Sequence, residues 1–339
     1  MNKKRVLAML LAGAMALSMT ACGGGSASSG DDSSNDGGAS ASGGSYKVSV
    51  ILKTLAAEYW QYVKSGAEDY ASEHSDKVTV EVKGPSSETA FDEMQNMIET
   101  DLSSGSYDGI VISPLQSDTA AQLVSGTKLP IVAIDTNFTA PEVKSFVGTG
   151  NEAAAKKGGE AAVEAAKAAG WTDIKCIEIA GVQGDQTNTA RMNGYKAGVE
   201  EAGGTFLSDE VQYADATADR ATTAMEAFMQ THPEGIAIIC ANNDDMAMAA
   251  ARAAQGHDAY KNTIFLGFNG DRAACEAILA GQMTMSVAQM AYEMGYKAVE
   301  TMIQVLDGET VDEFVDSGSD VVTPDNAQER LDTLKTQIH

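Results

Sequence analysis

The chain is 339 residues long and carries 23 Lys and Arg against 48 Asp and Glu, a formal charge of −25, and the whole excess falls after residue 45 because the first 45 residues hold three of each sign. A surface that negative repels phosphate backbones and anionic lipid, which argues against nucleic-acid binding. The four histidines and the cysteines show no ligand spacing, so the sequence supports no metal site, and Cys176, Cys240 and Cys275 read as buried free thiols.

Taken in chain order, Lys3, Lys4 and Arg5 precede an apolar run from Val6 to Met19, too short to span a bilayer and of the length of an export-signal core. Thr20 and Ala21 before Cys22 resemble the lipobox of bacterial lipoproteins, so residues 1–22 are expected to be a lipoprotein signal peptide with Cys22 as the lipidated residue. Residues 23–45 contain only Gly, Ser, Ala, Asp and Asn, with nothing to bury. They are expected to be a flexible tether with a reach of roughly 25 Å.

From Tyr46 onward short apolar runs alternate with helical patterns, the signature of βαβ units and a mostly parallel sheet. Candidate strands begin at Val48, Val78, Ile110, Ile131, Ile174, Ile236 and Ile264, and Tyr292, Tyr296, Val299, Ile303 and Leu306 mark a helix at spacings of three and four. The segment DGIVISPLQSD from Asp108 resembles EGIAIICANND from Glu234, LPIVAIDTN ending at Asn137 resembles NTIFLGFNG ending at Gly270, and helices containing Gly66 and Gly198 fall into similar register. Three pairs in the same order point to a duplicated unit. About 294 residues also exceed one usual core, so an α/β chain of two similar, doubly wound parallel-sheet lobes is expected. Ligands of open parallel sheets bind at the C-terminal strand ends, so facing lobes would place a site in the cleft between them.

The residues after the strands carry the expected chemistry. Lys53, Tyr59 and Trp60 follow the first strand, and an aromatic ring offers a flat surface to the CH face of a sugar. Asp135 and Thr136, then Asn242, Asn243 and Asp244, then Asn269 follow three others; for Asp244 and Asp271 helix capping is the favoured reading. In GDQTNTARMNGY from Gly184, Arg191 lies one turn into a helix, where its fixed donors can hold two hydroxyls or a carboxylate. GTGNEA at Gly148 fits a loose dinucleotide pattern but does not follow the first strand, so no cofactor is expected.

Together these residues resemble the ribose-binding and galactose/glucose-binding branch of the type I periplasmic binding proteins over residues 46–339, most specifically through IICANNDDMAMAAARAA from Ile238, THPEG from Thr231, GFNGDRAACEAILAGQM from Gly267 and VAQMAYEMGYKAVE from Val287. The resemblance implies stacking by Tyr59 and Trp60 and hydrogen bonding by Asp135, Arg191, Asn243, Asn269 and Gln289; Lys53 and Thr136 complete the expected set. It also implies an N-terminal lobe of residues 46–149 plus 290–318 and a C-terminal lobe of 150–289 plus 319–339. A three-strand hinge would cross near Gly148–Asn151, Met285–Gln289 and Ser317–Val321. Ala57, Thr136, Asn269, Ala216 and Lys53 depart from the family's pocket residues, and its calcium loop is absent, so the sugar cannot be carried over. The implied protein is a monomeric, extracytoplasmic lipoprotein, not an enzyme, that closes on a monosaccharide and delivers it to the permease of an ABC importer. The alternative is a sensory protein presenting a sugar acid or signal molecule to a chemoreceptor or kinase, since Lys53 and Arg191 also suit an acidic ligand.

Overall fold

The computed structural model describes residues 45–338, so the leader, Cys22 and the tether up to residue 44 lie outside the described residues. The first half runs β1 (Tyr46–Ile51), α1 (Glu58–Glu73), β2 (Val78–Lys83), α2 (Phe91–Ser104), β3 (Gly109–Ile112), α3 (Ser117–Val124), β4 (Ile131–Ile134) and β5 (Val143–Gly148). The second runs α4 (Asn151–Ala168), β6 (Lys175–Ala180), α5 (Gln186–Glu201), β7 (Thr205–Phe206), β8 (Gln212–Tyr213), α6 (Ala218–Thr231), β9 (Ile238–Ala241), α7 (Asp244–Ala254), β10 (Ile264–Asn269), α8 (Arg272–Leu279) and β11 (Met285–Gln289). The chain ends with α9 (Ala291–Leu306), β12 (Phe314–Asp316), β13 (Ser319–Val322) and α10 (Ala327–Leu334).

These strands form two sheets, ordered β12-β5-β4-β3-β1-β2 and β13-β11-β10-β9-β6-β7, with β8 also pairing to β6. All pairings are parallel except β11 with β13. The two orders superimpose strand for strand, and the sequence repeats obey them: β3 and β9 hold equivalent places, as do β4 and β10. The α/β architecture of two doubly wound parallel lobes is therefore present as expected.

Helices cover both faces of each sheet, which explains why the central strands read as unbroken apolar runs. In the first sheet Ile110 and Ile112 face Met94 and Ile98 of α2, while Val111 between them joins the core under α1 and α9. In the second, Cys176, Cys240 and Phe268 pack under α4 and α5, whereas Ile177, Ile179 and Ile239 meet α6 and α7. The three cysteines are buried and free, with Cys176 and Cys240 Sγ 3.3 Å apart. Glu178 alternates onto the α4 and α5 side of β6, fully buried, and neither carboxyl oxygen has a partner among the described residues.

Gly66 and Gly198 prove to be close-approach points. A Cβ at Gly66 would strike the Tyr292 carbonyl where α1 crosses α9, and one at Gly198 would strike the Lys156 carbonyl where α5 crosses α4. Helix pairs thus meet backbone to backbone at the same place in each half.

Three links pass between the sheets: from β5 to α4, from β11 to α9, and from β12 to β13. The first and third run side by side, with Thr149 Oγ1 3.3 Å from Ser317 Oγ. Strands β5, β7, β8 and β11 to β13 were not among the candidate strands, and β7 and β8, two residues each, are too short for any periodicity to register. Among the described residues no helix is long and apolar enough to cross a membrane.

Candidate ligand-binding site

The C-terminal ends of both sheets open onto one cavity, whose space free of protein atoms is about 530 Å³ with its open mouth included. Each sheet contributes through equivalent loops. After β4 comes Asp135 and at the end of β10 stands Asn269, and both adopt positive φ, 61° and 131°. Non-glycine residues held there cost about 1–3 kcal/mol and persist where the surroundings over-determine them, often at binding sites. Each half thus places one positive-φ residue at the cavity wall, Asp135 after its strand and Asn269 at the end of its own.

From the first half, Lys53, Tyr59, Trp60, Glu88 and Asp135 line the space. Tyr59 and Trp60 meet edge to face with centroids 4.9 Å apart, and each is pinned by a carboxylate. The Tyr59 hydroxyl donates to Asp135 Oδ1 at 2.8 Å, and Trp60 Nε1 donates to Glu88 Oε1 at 3.0 Å. Burial, with the adjacent Asp135 charge, holds the Tyr59 phenol well above its usual range, so it remains a donor.

From the second half, Asp185, Thr187 and Arg191 arrive on the first turns of α5, Asn242 and Asn243 at the start of α7, and Asn269 and Asp271 before α8. Arg191 is rigidly placed. Its Nε donates to Asn151 Oδ1 at 2.9 Å, its Nη1 to the Asn242 carbonyl at 2.7 Å, and its guanidinium lies 3.8 Å over the Phe268 ring. Asn151 belongs to the GTGNEA segment, whose polar side chain thus serves to hold an arginine.

Contacts across the cleft are direct. Lys53 Nζ pairs with Asp185 and lies 4.0 Å from Asp135 Oδ2. Burial works to lower the Lys53 ammonium's pKa, but Asp185 and Asp135 outweigh it and the net shift is upward. Thr136 and Thr187 hydroxyls stand 2.7 Å apart, and Arg272 Nε reaches Glu58 Oε1 at 3.2 Å.

The sequence-derived residues divide. Lys53, Tyr59, Trp60, Asp135, Arg191, Asn243 and Asn269 all line the cavity. Asn243 has little left to offer, because its Oδ1 caps α7 by accepting from Met246 N at 2.9 Å and its Nδ2 donates to the Ala216 carbonyl. Thr136 and Gln289 are corrections: both are fully buried behind the lining. Thr136 is turned inward to Asp135 Oδ2 and Thr187, and Gln289 donates to Asn269 Oδ1 at 3.0 Å, so each supports a lining residue.

The capping assignment also needs revision. Asp244 accepts from Ser286 Oγ at 2.6 Å and from the Asp271 backbone N–H at 2.9 Å, and Asp271, although at the N-cap position of α8, makes no side-chain cap bond. Asn242, named as a strand-end residue, and Asp271, read as a cap, both line the cavity, whereas sequence reasoning missed Glu88, Asp185, Thr187 and Asp245 as lining residues. Asp185 was legible as the residue opening GDQTNTAR's helix, whose backbone it caps through Asn188 N; Glu88 lies in a loop with no pattern to flag it.

Comparison with known proteins follows this geometry. A family model described as "Periplasmic binding protein domain" matches residues 48–310. The D-allose-binding periplasmic protein of Escherichia coli K12 is 30% identical over 265 residues, covering 75% of this chain and 83% of that protein. The ribose import binding protein RbsB of Bacillus subtilis 168 is 26% identical over 274 residues, covering 80% and 85%. A carbohydrate transporter solute binding protein of Agrobacterium radiobacter, solved with D-arabinose, shares the fold with a TM-score of 0.76 at 24% identity, covering 87% of this chain and 99% of that one. An ABC transporter solute binding protein of Mycobacterium smegmatis, solved with glycerol, gives 0.72 at 25%, covering 84% and 96%.

Proposed function

We propose that this chain, which belongs to the periplasmic binding protein family, captures a monosaccharide between its two lobes outside the cytoplasm and delivers it to an ABC importer. The observation that carries the reading is a single polar cavity lined from both sheets, with the edge-to-face pair Tyr59 and Trp60 at its wall. A ring of alternating hydroxyls and CH groups matches such a wall, hydroxyls meeting Asp135 and Arg191 while the apolar face lies against an aromatic ring.

Binding would be coupled to closure. A ligand touching Asp135 on one lobe and Arg191 on the other has its full contacts only when the lobes face each other, so it draws the population toward the closed form that an importer can recognise. We assign Lys53, Tyr59, Trp60, Asp135, Arg191 and Asn269 to direct contact, and Thr136 and Gln289 to holding Asp135 and Asn269 in place. We further assign a lipid anchor to Cys22, a tether role to the Gly/Ser-rich segment after it, and a monomeric working state. The carboxylates are read as acceptors for sugar hydroxyls, in line with relatives whose names are those of binding and import proteins.

Thermal melting against a panel of monosaccharides, polyols and sugar acids tests this. A ligand present at 1,000 times its Kd adds about 4 kcal/mol, and the midpoint should rise by several degrees. No shift from any sugar would refute the proposal.

A further inference from the structure

The cavity has an imbalance that a generic sugar pocket does not require. Two cations, Lys53 and Arg191, face the carboxylates of Glu88, Asp135, Asp185, Asp245 and Asp271. The donors on the first-lobe side are already engaged with carboxylates: Lys53 with Asp185, Tyr59 with Asp135 and Trp60 with Glu88. The acceptors are not. Asp271, only 9% exposed, has one long contact, from Asn269 Nδ2 at 3.4 Å, and Asp245, exposed at the rim, makes no hydrogen bond or ion pair among the described residues. Asn242, 8% exposed, lines the same wall, and its Oδ1 is buried without a partner. A buried acceptor left unpaired is costly, so this wall calls for hydrogen atoms from the ligand.

Helix capping does not account for the wall, since Asp271 makes no cap bond. An acidic ligand would bring a further negative charge and a carboxylate that donates nothing, which makes the earlier possibility of a sugar acid unfavourable here.

We propose that the ligand carries a protonated amine, as an amino sugar does, and that Asp271 and Asp245 receive it. This rests on the sugar-binding reading above. An ammonium supplies three donors and one positive charge, the two things this wall lacks. The electrostatics agree: burial, then Asp244, Glu58 and Asp245, push the Asp271 carboxyl well above the usual carboxylate range. The groups facing it are Asp244 and Asp245 of α7, Glu58, Tyr59 and Tyr62 of α1, Cys275 of α8, the exposed Arg272 paired to Glu58, and Arg330 of α10, whose Nε donates to the Gly270 carbonyl. A cation beside Asp271 favours its ionised form, so a proton held by the carboxyl would be released on binding.

Isothermal titration of the full chain tests this with D-glucosamine, D-galactosamine and D-mannosamine, each against its neutral parent hexose, at about pH 6 in buffers of different ionisation enthalpy. We expect one amino sugar to bind about tenfold or more tighter than its parent, with proton release to the buffer. Asp271→Asn should abolish the proton release and bring the pair within about threefold, and Asp245→Asn should erode the preference less. A neutral sugar binding as tightly as, or tighter than, every amino sugar overturns the amine inference and leaves the sugar-binding reading standing. An amine preference unchanged in both variants overturns the assignment to this wall. Failure of every sugar, charged or neutral, overturns both.

Discussion

Replacing Glu178 by Gln should make the protein more stable in alkali while leaving it nearly unchanged in acid. The side chain is fully buried on β6 with both oxygens unpartnered, and burial, only partly offset by Arg191, pushes its pKa from 4.5 up to about 8. A carboxyl whose folded value is raised favours the fold fully only below its unfolded value, and the advantage is lost as pH rises toward the folded value. With about 1.4 kcal/mol per pH unit, the wild type should lose about 3 kcal/mol through this one group between about pH 5 and about pH 8, whereas a glutamine there has no proton to lose. Thermal melts of both proteins across that range isolate the effect, because the other titrating groups cancel in the difference. At about 2–4 °C per kcal/mol, the variant's midpoint should gain roughly 6–12 °C on the wild type from the acid end to the alkaline end. Two curves that stay parallel over the whole range would refute the reasoning and mean that Glu178 is ionised and compensated in the fold.

Asp135→Ala should weaken the ligand identified by melting by roughly 10 to 100-fold, since a hydrogen bond to a charged group contributes about 1.5–3 kcal/mol; unchanged affinity in calorimetry would remove the aspartate from the site. Lys53→Met leaves Asp185 without its buried partner, which disfavours the closed pairing, so small-angle scattering of the ligand-free protein should give a radius of gyration above the wild-type value, with an equal radius counting against a latch. Gly66→Ala should cost about 1–3 kcal/mol in denaturant melts, because the added methyl meets the Tyr292 carbonyl and no rotamer can relieve a clash with backbone.

Much of this architecture is written locally in the chain. Apolar runs such as Gly109–Ile112 and Ile238–Ala241 are buried on both faces, so their composition alone marks them as central parallel strands, and Asn242 and Asn243 just beyond the second line the cavity. What escaped is set by distance in three dimensions. Gln289 looks like any polar strand end until Asn269 is seen to use it, and nothing local marks Asp185 as a lining residue until Lys53, remote in sequence, reaches it across the cleft. Asp244 shows the opposite error: it stands where a cap would, but the fold turns it inward to fasten α8 through Asp271 N–H and β11 through Ser286. Short edge pairings such as β12 with β5 escaped because three residues carry no period and their partners lie far back in the chain.

The links between the sheets also impose an order of assembly on the nascent chain. The five strands β1 to β5 are complete by Gly148, but the helix that covers one face of their sheet, α9, and the edge strand β12 are encoded after residue 290. At about 5–20 residues per second, a ribosome needs roughly 7 to 30 s to cross that interval, during which the first sheet lacks α9 and its edge strand β12. For a protein that works outside the cytoplasm the delay is useful, since a chain that has not closed its first core can still be drawn, unfolded, through a narrow channel.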